Sequence, residues 1–108
     1  GILAGQFSGV TQAYAEAGAN CLYAPRITTA AQIATLVTAV APKPLNLLIN
    51  APFLTVAEAA AMGVRRISVG GTLARTAWAG FLAAATEIAE EGTFSKFEHL
   101  PNVDALLR

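Results

Sequence analysis

The sequence predicts an α/β fold in which three parallel strands alternate with helices, as in the C-terminal part of a TIM-type (β/α)8 barrel. Short, predominantly apolar segments centred near residues 22, 47 and 67 are separated by segments of helical periodicity. Such strands are typical of a parallel sheet covered by helices. The spacing suits barrel units of about 25–30 residues. A doubly wound open sheet has the same local pattern, so periodicity alone does not separate the two folds.

The composition predicts that other elements cover this chain. Of its 108 residues, 55% are hydrophobic and 13% are charged, against roughly 25% charged in an ordinary domain. A self-contained domain of this size has a large surface and carries more charge. Three strands would also leave two open sheet edges. We therefore expect the missing N-terminal half of the barrel to lie upstream, or a partner subunit to cover the chain.

Several classes of protein are excluded by the same composition. Polar residues interrupt the apolar stretches, whereas a membrane-spanning helix needs about 20 apolar residues in a row. Seven basic residues balance seven acidic ones without a basic run, so no nucleic-acid partner is expected. The single cysteine, Cys21, excludes an intrachain disulfide and is too isolated for a zinc site. No secretory leader is visible, so we expect a cytoplasmic protein.

The first helix and strand follow from spacing and from a glycine. Apolar residues three or four apart predict an amphipathic helix over residues 6–17, namely Phe7, Val10, Tyr14 and Ala17. Gly18 follows as a C-terminal cap. A short buried strand over residues 20–24 then ends at Pro25.

The second helix and strand begin after a capping box. Thr29 with Gln32 fits that motif, and the buried stripe of the helix comprises Ile33, Leu36, Val37 and Val40. The run Pro42-Lys43-Pro44 breaks the helix, and residues 45–49 are apolar enough for a buried strand.

The last barrel unit repeats the pattern. Thr55 with Glu58 forms a second capping box before a short alanine-rich helix that ends at Gly63. Residues 66–69 predict the third strand, and a longer helix is expected over residues 72–91. The tail, residues 93–108, has scattered apolar side chains and one short helix capped by Asn102.

Candidate binding residues follow the ends of the predicted strands, where parallel sheets bind ligands. Gly70 and Gly71 could bring backbone N–H groups to an anion at a helix N-terminus, or they simply permit a tight turn. Arg26 could bind a carboxylate with its fork of donors, or it is a solvated loop arginine. Asn50 ends the second strand and is a better ligand candidate than Asn46, which lies mid-strand and needs a partner for its amide.

Other residues favour structural roles. Ser68 is expected to fill a small interior position, Cys21 to pack as a small hydrophobe, and His99 to lie far from any catalytic partner. Trp78 and Phe81 are interpreted as packing or subunit-contact residues. Arg65-Arg66 leads into the third strand at the stability end of the sheet, where the two charges are expected to cap or pair.

The carboxylates predict that this chain supplies neither catalytic nor metal-binding residues. All seven lie on predicted helices or in the tail: Glu16, Glu58, Glu87, Glu90, Glu91, Glu98 and Asp104. Magnesium sites use oxygen ligands, usually with one or two carboxylates. General acid–base chemistry needs a titratable group at the catalytic face of the barrel.

Four blocks of sequence resemble the isocitrate lyase/phosphoenolpyruvate mutase superfamily, in its order and spacing. They are residues 13–25 (AYAEAGANCLYAP), 44–48 (PLNLL), 62–71 (MGVRRISVGG) and 91–94 (EGTF). The resemblance implies a magnesium-dependent barrel, usually a tetramer whose final helix is often swapped between subunits. It implies cleavage or formation of C–C or P–C bonds next to a carboxylate, through an enolate-like intermediate.

The same resemblance places this chain within the barrel. Residues 1–108 would form one partial domain, comprising barrel units 6–8 with the preceding helix, and residues 93–108 a C-terminal extension. The family's aspartate metal ligands, its loop cysteine and its active-site arginine belong to earlier strands, and Cys21 is not that cysteine. Pro25 stands where several members have Glu or His, and Pro25-Arg26 stands where other members have Pro-Gly. The N-x-T-E-F-G run of methylisocitrate lyases is missing. Isocitrate and methylisocitrate are therefore disfavoured as substrates.

Three functions remain open at this point. The first is the C-terminal part of a magnesium-dependent lyase or mutase that acts on small 2-oxo or hydroxy carboxylic acids. The second is a non-catalytic half-barrel that assembles with copies of itself or with a partner. The third, which depends only on Gly70-Gly71, is a phosphate-binding barrel of another family.

Overall fold

The structure of the protein, a computed structural model, describes residues 2–108 and their side chains from residue 6 onwards. The chain forms two compact units, one ending at Gly70 and one beginning at Gly71. The first contains α1 (Ile2–Glu16), β1 (Leu22–Tyr23), α2 (Ala30–Val40), β2 (Leu45–Leu48), α3 (Val56–Ala61) and β3 (Arg66–Ser68). The second contains α4 (Thr72–Glu91), a 3-10 helix (Ser95–Phe97) and α5 (Val103–Leu106).

The three strands form one parallel sheet in the order β1-β2-β3. Its register sets Tyr23, Asn46 and Arg66 side by side, one residue from each strand, and places Ser68 beside Leu48. The predicted alternation of helices with parallel strands is therefore confirmed, with strands slightly shorter than the apolar segments suggest.

The core of the first unit lies between the sheet and its helices. Helix α1 packs on α2 and β1, and α2 packs on β2. Burial of one large aliphatic side chain contributes roughly 1.5–3 kcal/mol. Among the described side chains, the largest fully buried ones come from α2 and β2, and they are Ile33, Leu36, Leu45 and Leu47. Since side chains alternate along a strand, Asn46, which lies between the buried Leu45 and Leu47, is on the opposite face of the sheet.

Glycines end the helices as the sequence predicts. Gly18 adopts a φ of 103°, and its N–H donates to the carbonyl of Ala15 at 3.2 Å, while the N–H of Ala19 donates to Tyr14 at 3.1 Å. This pair of bonds is the Schellman motif. Gly63 ends α3 with a φ of 94°.

Both predicted capping boxes are confirmed. Thr29 caps α2 and exchanges hydrogen bonds with Gln32, and Thr55 does the same for α3 with Glu58. The Glu58 carboxylate accepts from the Thr55 backbone N–H at 2.7 Å and from its hydroxyl at 2.8 Å. These bonds, the backbone bond foremost, lower the pKa of Glu58. Local residues thus satisfy amide groups that a helix start leaves free.

Lys43 joins the first helix to the second strand. Its Nζ donates to the carbonyl oxygens of Ala15 at 2.6 Å and Ala19 at 2.7 Å. Ala15 lies in the last turn of α1, where the helix dipole favours a positive charge, and Ala19 lies just beyond the end of that helix. This contact spans more than 20 residues of sequence, and local periodicity gave no sign of it.

The second unit begins at Gly71, the N-cap of α4, and α4 ends at Gly92 with a φ of 67°. Its tail is bound by Glu87, whose carboxylate accepts from the Thr93 hydroxyl at 2.8 Å and the Ser95 N–H at 2.7 Å. These bonds, that of Thr93 foremost, lower the pKa of Glu87 to about 2. Asn102 caps α5 as predicted.

Each helix in the part of the chain that the structure describes is too short or too polar to span a lipid bilayer.

Candidate functional site

The carboxyl ends of the three strands lie at one edge of the sheet, because the strands are parallel. Three of the sequence-predicted site residues follow these ends: Arg26 after β1, Asn50 after β2 and Gly70 after β3. In open and closed α/β sheets this edge is where ligands bind. No hydrogen bond joins these three residues within the described part of the chain.

Arg26 is exposed and has a φ of 61°. Only a few percent of non-glycine residues adopt this left-handed region, which costs roughly 1–2 kcal/mol for an L-residue. Ile27, the next residue, is buried in the core and fixes the end of the turn. The guanidinium forms no hydrogen bond with the described residues, so its five donors are available to a carboxylate.

Asn50 is also exposed, whereas the residue before it is fixed by the sheet. The N–H of Ile49 donates to the carbonyl of Ser68 at 2.8 Å, which extends the pairing of β2 with β3. The Asn50 amide has no hydrogen-bond partner among the described residues. It therefore lies at the edge with one donor and one acceptor group available.

The two glycines differ in their roles. Gly70 has a φ of 54°, and a Cβ there would lie 3.6 Å from Leu48 Cδ1, an ordinary contact. Its left-handed backbone, rather than a lack of space, favours glycine. Gly71 belongs to the second unit, where it caps α4 without a side-chain hydrogen bond. The first amides of α4 thus lack a side-chain acceptor from the cap.

A second polar group lies on the face of the sheet opposite the core, here called the inner face. Asn46 Nδ2 donates to Ser68 Oγ at 2.9 Å, so Ser68 has a polar partner in addition to its expected packing role. Asn46 is 7% exposed, and its Oδ1 has no hydrogen-bond partner within residues 2–108. A depression of about 280 Å³ opens here, and it is lined by Cys21, Leu22, Tyr23, Asn46, Arg66 and Ser68.

The described residues do not by themselves fit a magnesium site. Magnesium takes oxygen ligands in near-octahedral geometry, usually including carboxylates. Within residues 2–108, no three acidic, histidine or cysteine side chains lie close enough to hold an ion. Glu58 and Glu87 are already engaged as helix-end acceptors. A metal in this fold would need ligands from outside the described residues.

Comparison with protein families decides the assignment. The family model described as phosphoenolpyruvate phosphomutase matches residues 11–89, from α1 through most of α4. This chain belongs to the phosphoenolpyruvate phosphomutase family. The match covers the three strands and their carboxyl ends, so the candidate residues lie within the family region. The resemblance to the isocitrate lyase/phosphoenolpyruvate mutase superfamily is confirmed.

Solved structures of this superfamily share the fold. A protein described as a lyase/mutase from Burkholderia cenocepacia J2315 is 41% identical, with a TM-score of 0.87, over 96% of this chain and 38% of its own. Oxaloacetate acetylhydrolase is 27% identical, with a TM-score of 0.74, over 95% of this chain and 38% of its own. The fold alone is shared with 2,3-dimethylmalate lyase, a PEP mutase/isocitrate lyase superfamily member, at 20% identity and a TM-score of 0.75, over 95% of this chain and 38% of that one. None of the curated proteins matches the chain.

These likenesses confirm the predicted fold class, the C-terminal part of a TIM-type barrel. The phosphomutase-family chain spans less than two fifths of the length of the structures it matches. Sequence reasoning singled out the strand-end residues but missed the direct bond between Asn46 and Ser68. The signal was present, since both fall on the polar alternate positions of adjacent strands, but the register that joins them is not visible in local sequence.

Proposed function

We propose that this chain is the C-terminal part of a magnesium-dependent lyase or mutase that acts on C–C or P–C bonds of small 2-oxo or 2-hydroxy carboxylic acids. The family match over residues 11–89 carries the proposal. It is supported by the lyase/mutase at 41% identity and by oxaloacetate acetylhydrolase. We do not transfer the individual substrates of those proteins to this chain. We propose only a substrate class, namely small acids with a carboxylate beside the reacting bond.

In this proposal the chain supplies substrate-binding groups at the strand ends. Arg26 would bind a substrate carboxylate, because a guanidinium can form two parallel hydrogen bonds to it. Asn50 would donate to or accept from a second oxygen. The N–H group of Gly70 would stabilise negative charge at the strand ends, and in the second unit that of Gly71 would do so at the start of α4. The ligands of a magnesium ion, like the acid and the base, would come from other barrel strands, and the ion would supply Lewis-acid stabilisation of negative charge.

A turnover assay tests the proposal. The intact gene product is incubated with 2-oxo and 2-hydroxy dicarboxylates and with 3-phosphono-2-oxo acids, with magnesium or with EDTA. We expect turnover of at least one acid and its loss in EDTA. If no acid in the panel is consumed under either condition, the proposal is wrong.

Variants then test the assigned residues. Arg26→Gln removes a charge-assisted pair, so we expect KM to rise by roughly 10–100-fold. Arg108→Gln, a loss of the same charge from an exposed position in the tail, is the matched control and should leave KM unchanged. Equal KM values for the two variants would remove Arg26 from the site.

The second candidate function is a non-catalytic half-barrel assembly module. This function is favoured because the described residues at the strand ends include no carboxylate. The two proposals differ in what purified protein does. Light scattering measures the oligomeric state, and the assay above measures turnover. An oligomer without turnover favours the assembly module, and a monomer argues against it. The homotetramer that the family resemblance implies, like the cytoplasmic location, is a prediction of the sequence.

A further inference from the structure

Asn46 Oδ1 and the Arg66 guanidinium lie on adjacent strands of the inner face, and neither has a hydrogen-bond partner among the described residues. Asn46 and Arg66 are register partners on β2 and β3, so their side chains emerge from the same side of the sheet. Asn46 Oδ1 is inaccessible to solvent and accepts no hydrogen bond from the described residues. The Arg66 guanidinium, which is exposed, forms no hydrogen bond or ion pair within residues 2–108.

Arg65, the neighbouring arginine, differs from Arg66 because its guanidinium does have hydrogen-bond partners. Arg65 Nη1 donates to the carbonyls of Ala60 at 3.3 Å and Val64 at 3.0 Å. Arg65 thus caps α3 on the side of the helices. Of the two consecutive arginines, one has a local structural role, and the other is directed to the open inner face.

An inner face of this kind is covered in a barrel. Parallel sheets are buried on both faces, and here β1 and β3 each pair only with β2 among the described residues. The solved relative at 41% identity has 38% of its chain matched by this one, which leaves a chain length sufficient for the other strands. Covering the face would remove Arg66 from water.

A buried guanidinium cannot lose its proton and must be paired. The other described residues that line the depression with it are Cys21, Leu22, Tyr23, Asn46 and Ser68, and none of them is a carboxylate. Asn46 Oδ1 can accept a hydrogen bond from one of the five N–H donors of Arg66, but this bond leaves the positive charge of the guanidinium uncompensated. The face therefore lacks one anionic group.

We infer that the inner face, through Arg66 and Asn46, binds a strand of the same barrel that brings one carboxylate to this layer. The guanidinium lies between that carboxylate and Asn46 Oδ1, and Ser68 fixes the amide from the other side. Arg66 is the first residue of β3, and Asn46 is the second residue of β2, so both precede the proposed substrate edge at Asn50 and Gly70. It is an assembly contact that fixes how the halves of the barrel pair. The inference rests on the proposed barrel but not on its catalytic activity.

The first test uses thermal unfolding of the intact gene product. Arg66→Met removes the charge and leaves the partner carboxylate buried and unpaired, so we expect Tm to fall by roughly 5–10 °C at pH 7. The loss should shrink toward pH 4.5, because the carboxylate then takes a proton. Arg66→Lys, which keeps the charge, should recover part of the loss. Arg65→Met is the matched control, and its smaller loss should not depend on pH.

The second test is the paired change Asn46→Leu with Ser68→Ala, which removes the amide and its partner together. If Arg66 donates to Asn46 Oδ1, the change lowers Tm, because a buried donor loses its acceptor. If nothing donates to Oδ1, it leaves Tm unchanged or raises it, since an unsatisfied polar atom is replaced by an apolar group.

The outcomes separate the explanations. A loss in Arg66→Met that is equal at both pH values, or no larger than that in Arg65→Met, overturns the inference. A change of oligomeric state in Arg66→Met at unchanged Tm also overturns it, because the occupant is then a second copy. Turnover of the unmodified protein is measured separately, so the catalytic proposal can fail while this one stands.

Discussion

The two units of the chain hold their structure in different ways. In the first, ten of the described apolar side chains form a core in which each is at most 4% exposed. In the second, no residue is buried, and Trp78 and Phe81 are each 61% exposed. Its tail is attached by hydrogen bonds to Glu87. Burial of apolar side chains therefore stabilises the first unit, whereas helix propensity and a few hydrogen bonds stabilise the second.

Core truncation gives the largest expected difference between the units. Leu36→Ala in α2 removes a side chain that is 1% exposed, so the free energy of unfolding should fall by about 2–5 kcal/mol. Leu106→Ala in α5, where the side chain is 74% exposed, is the control and should change it by less than about 0.5 kcal/mol. Urea unfolding followed by circular dichroism measures both. Equal losses would show that the contrast between the units is wrong.

Replacing glycine by alanine should change the free energy of unfolding in opposite directions in the two units. At Gly63, φ is 94° and a new Cβ would lie 2.8 Å from Val37 Cγ1, so Gly63→Ala should cost about 1–2 kcal/mol or more. Gly80, within α4, has no neighbour within 4 Å of a new Cβ. Gly80→Ala should therefore stabilise by roughly 0.5–1 kcal/mol. The same urea unfolding checks this, and a loss at Gly80 would show that α4 is packed tightly there.

Local chemistry was predictable from the sequence, and long-range pairing was not. The capping boxes at Thr29 and Thr55, and the helix end at Gly63, depend on residues within a few positions of one another. The bond from Asn46 to Ser68 spans 22 positions, and those of Lys43 span 24 and 28. Such contacts depend on strand register and on helix packing, neither of which leaves a local periodicity.

The candidate site was predictable to the same degree. Residues that follow parallel strands lie at the carboxyl edge of the sheet. This rule predicts the positions of Arg26, Asn50 and Gly70, and the structure places them there. Whether they contact a substrate depends on strands beyond those described, so that assignment stays a proposal. The positive φ of Arg26 had no signal in the sequence, because few arginines adopt it.

The smallest expected effect is the pH dependence of the tail. Hydrogen bonds from Thr93 and Ser95 lower the pKa of Glu87 from 4.5 to about 2. Because the folded pKa lies below the unfolded one, the stabilisation is fully present above pH 4.5 and is lost as the pH falls through about 2. In an NMR titration, the Ser95 amide shift should report a midpoint near 2 that disappears in Glu87→Gln. Glu90→Gln is the control, and a Ser95 midpoint near 4.5 would contradict the contact.

The account depends most on other strands covering the inner face, and Cys21 reports this directly. Cys21 is half-buried and lines the depression on that face, and it is the single cysteine of the chain. In the native intact protein, peptide mass spectrometry would follow its alkylation against Ala34→Cys, an exposed control on α2, in a Cys21→Ser background. We predict that Cys21 reacts at least about 100-fold more slowly than the control, because its reaction requires opening of the barrel. Reaction at a rate similar to that of the control would contradict a closed barrel.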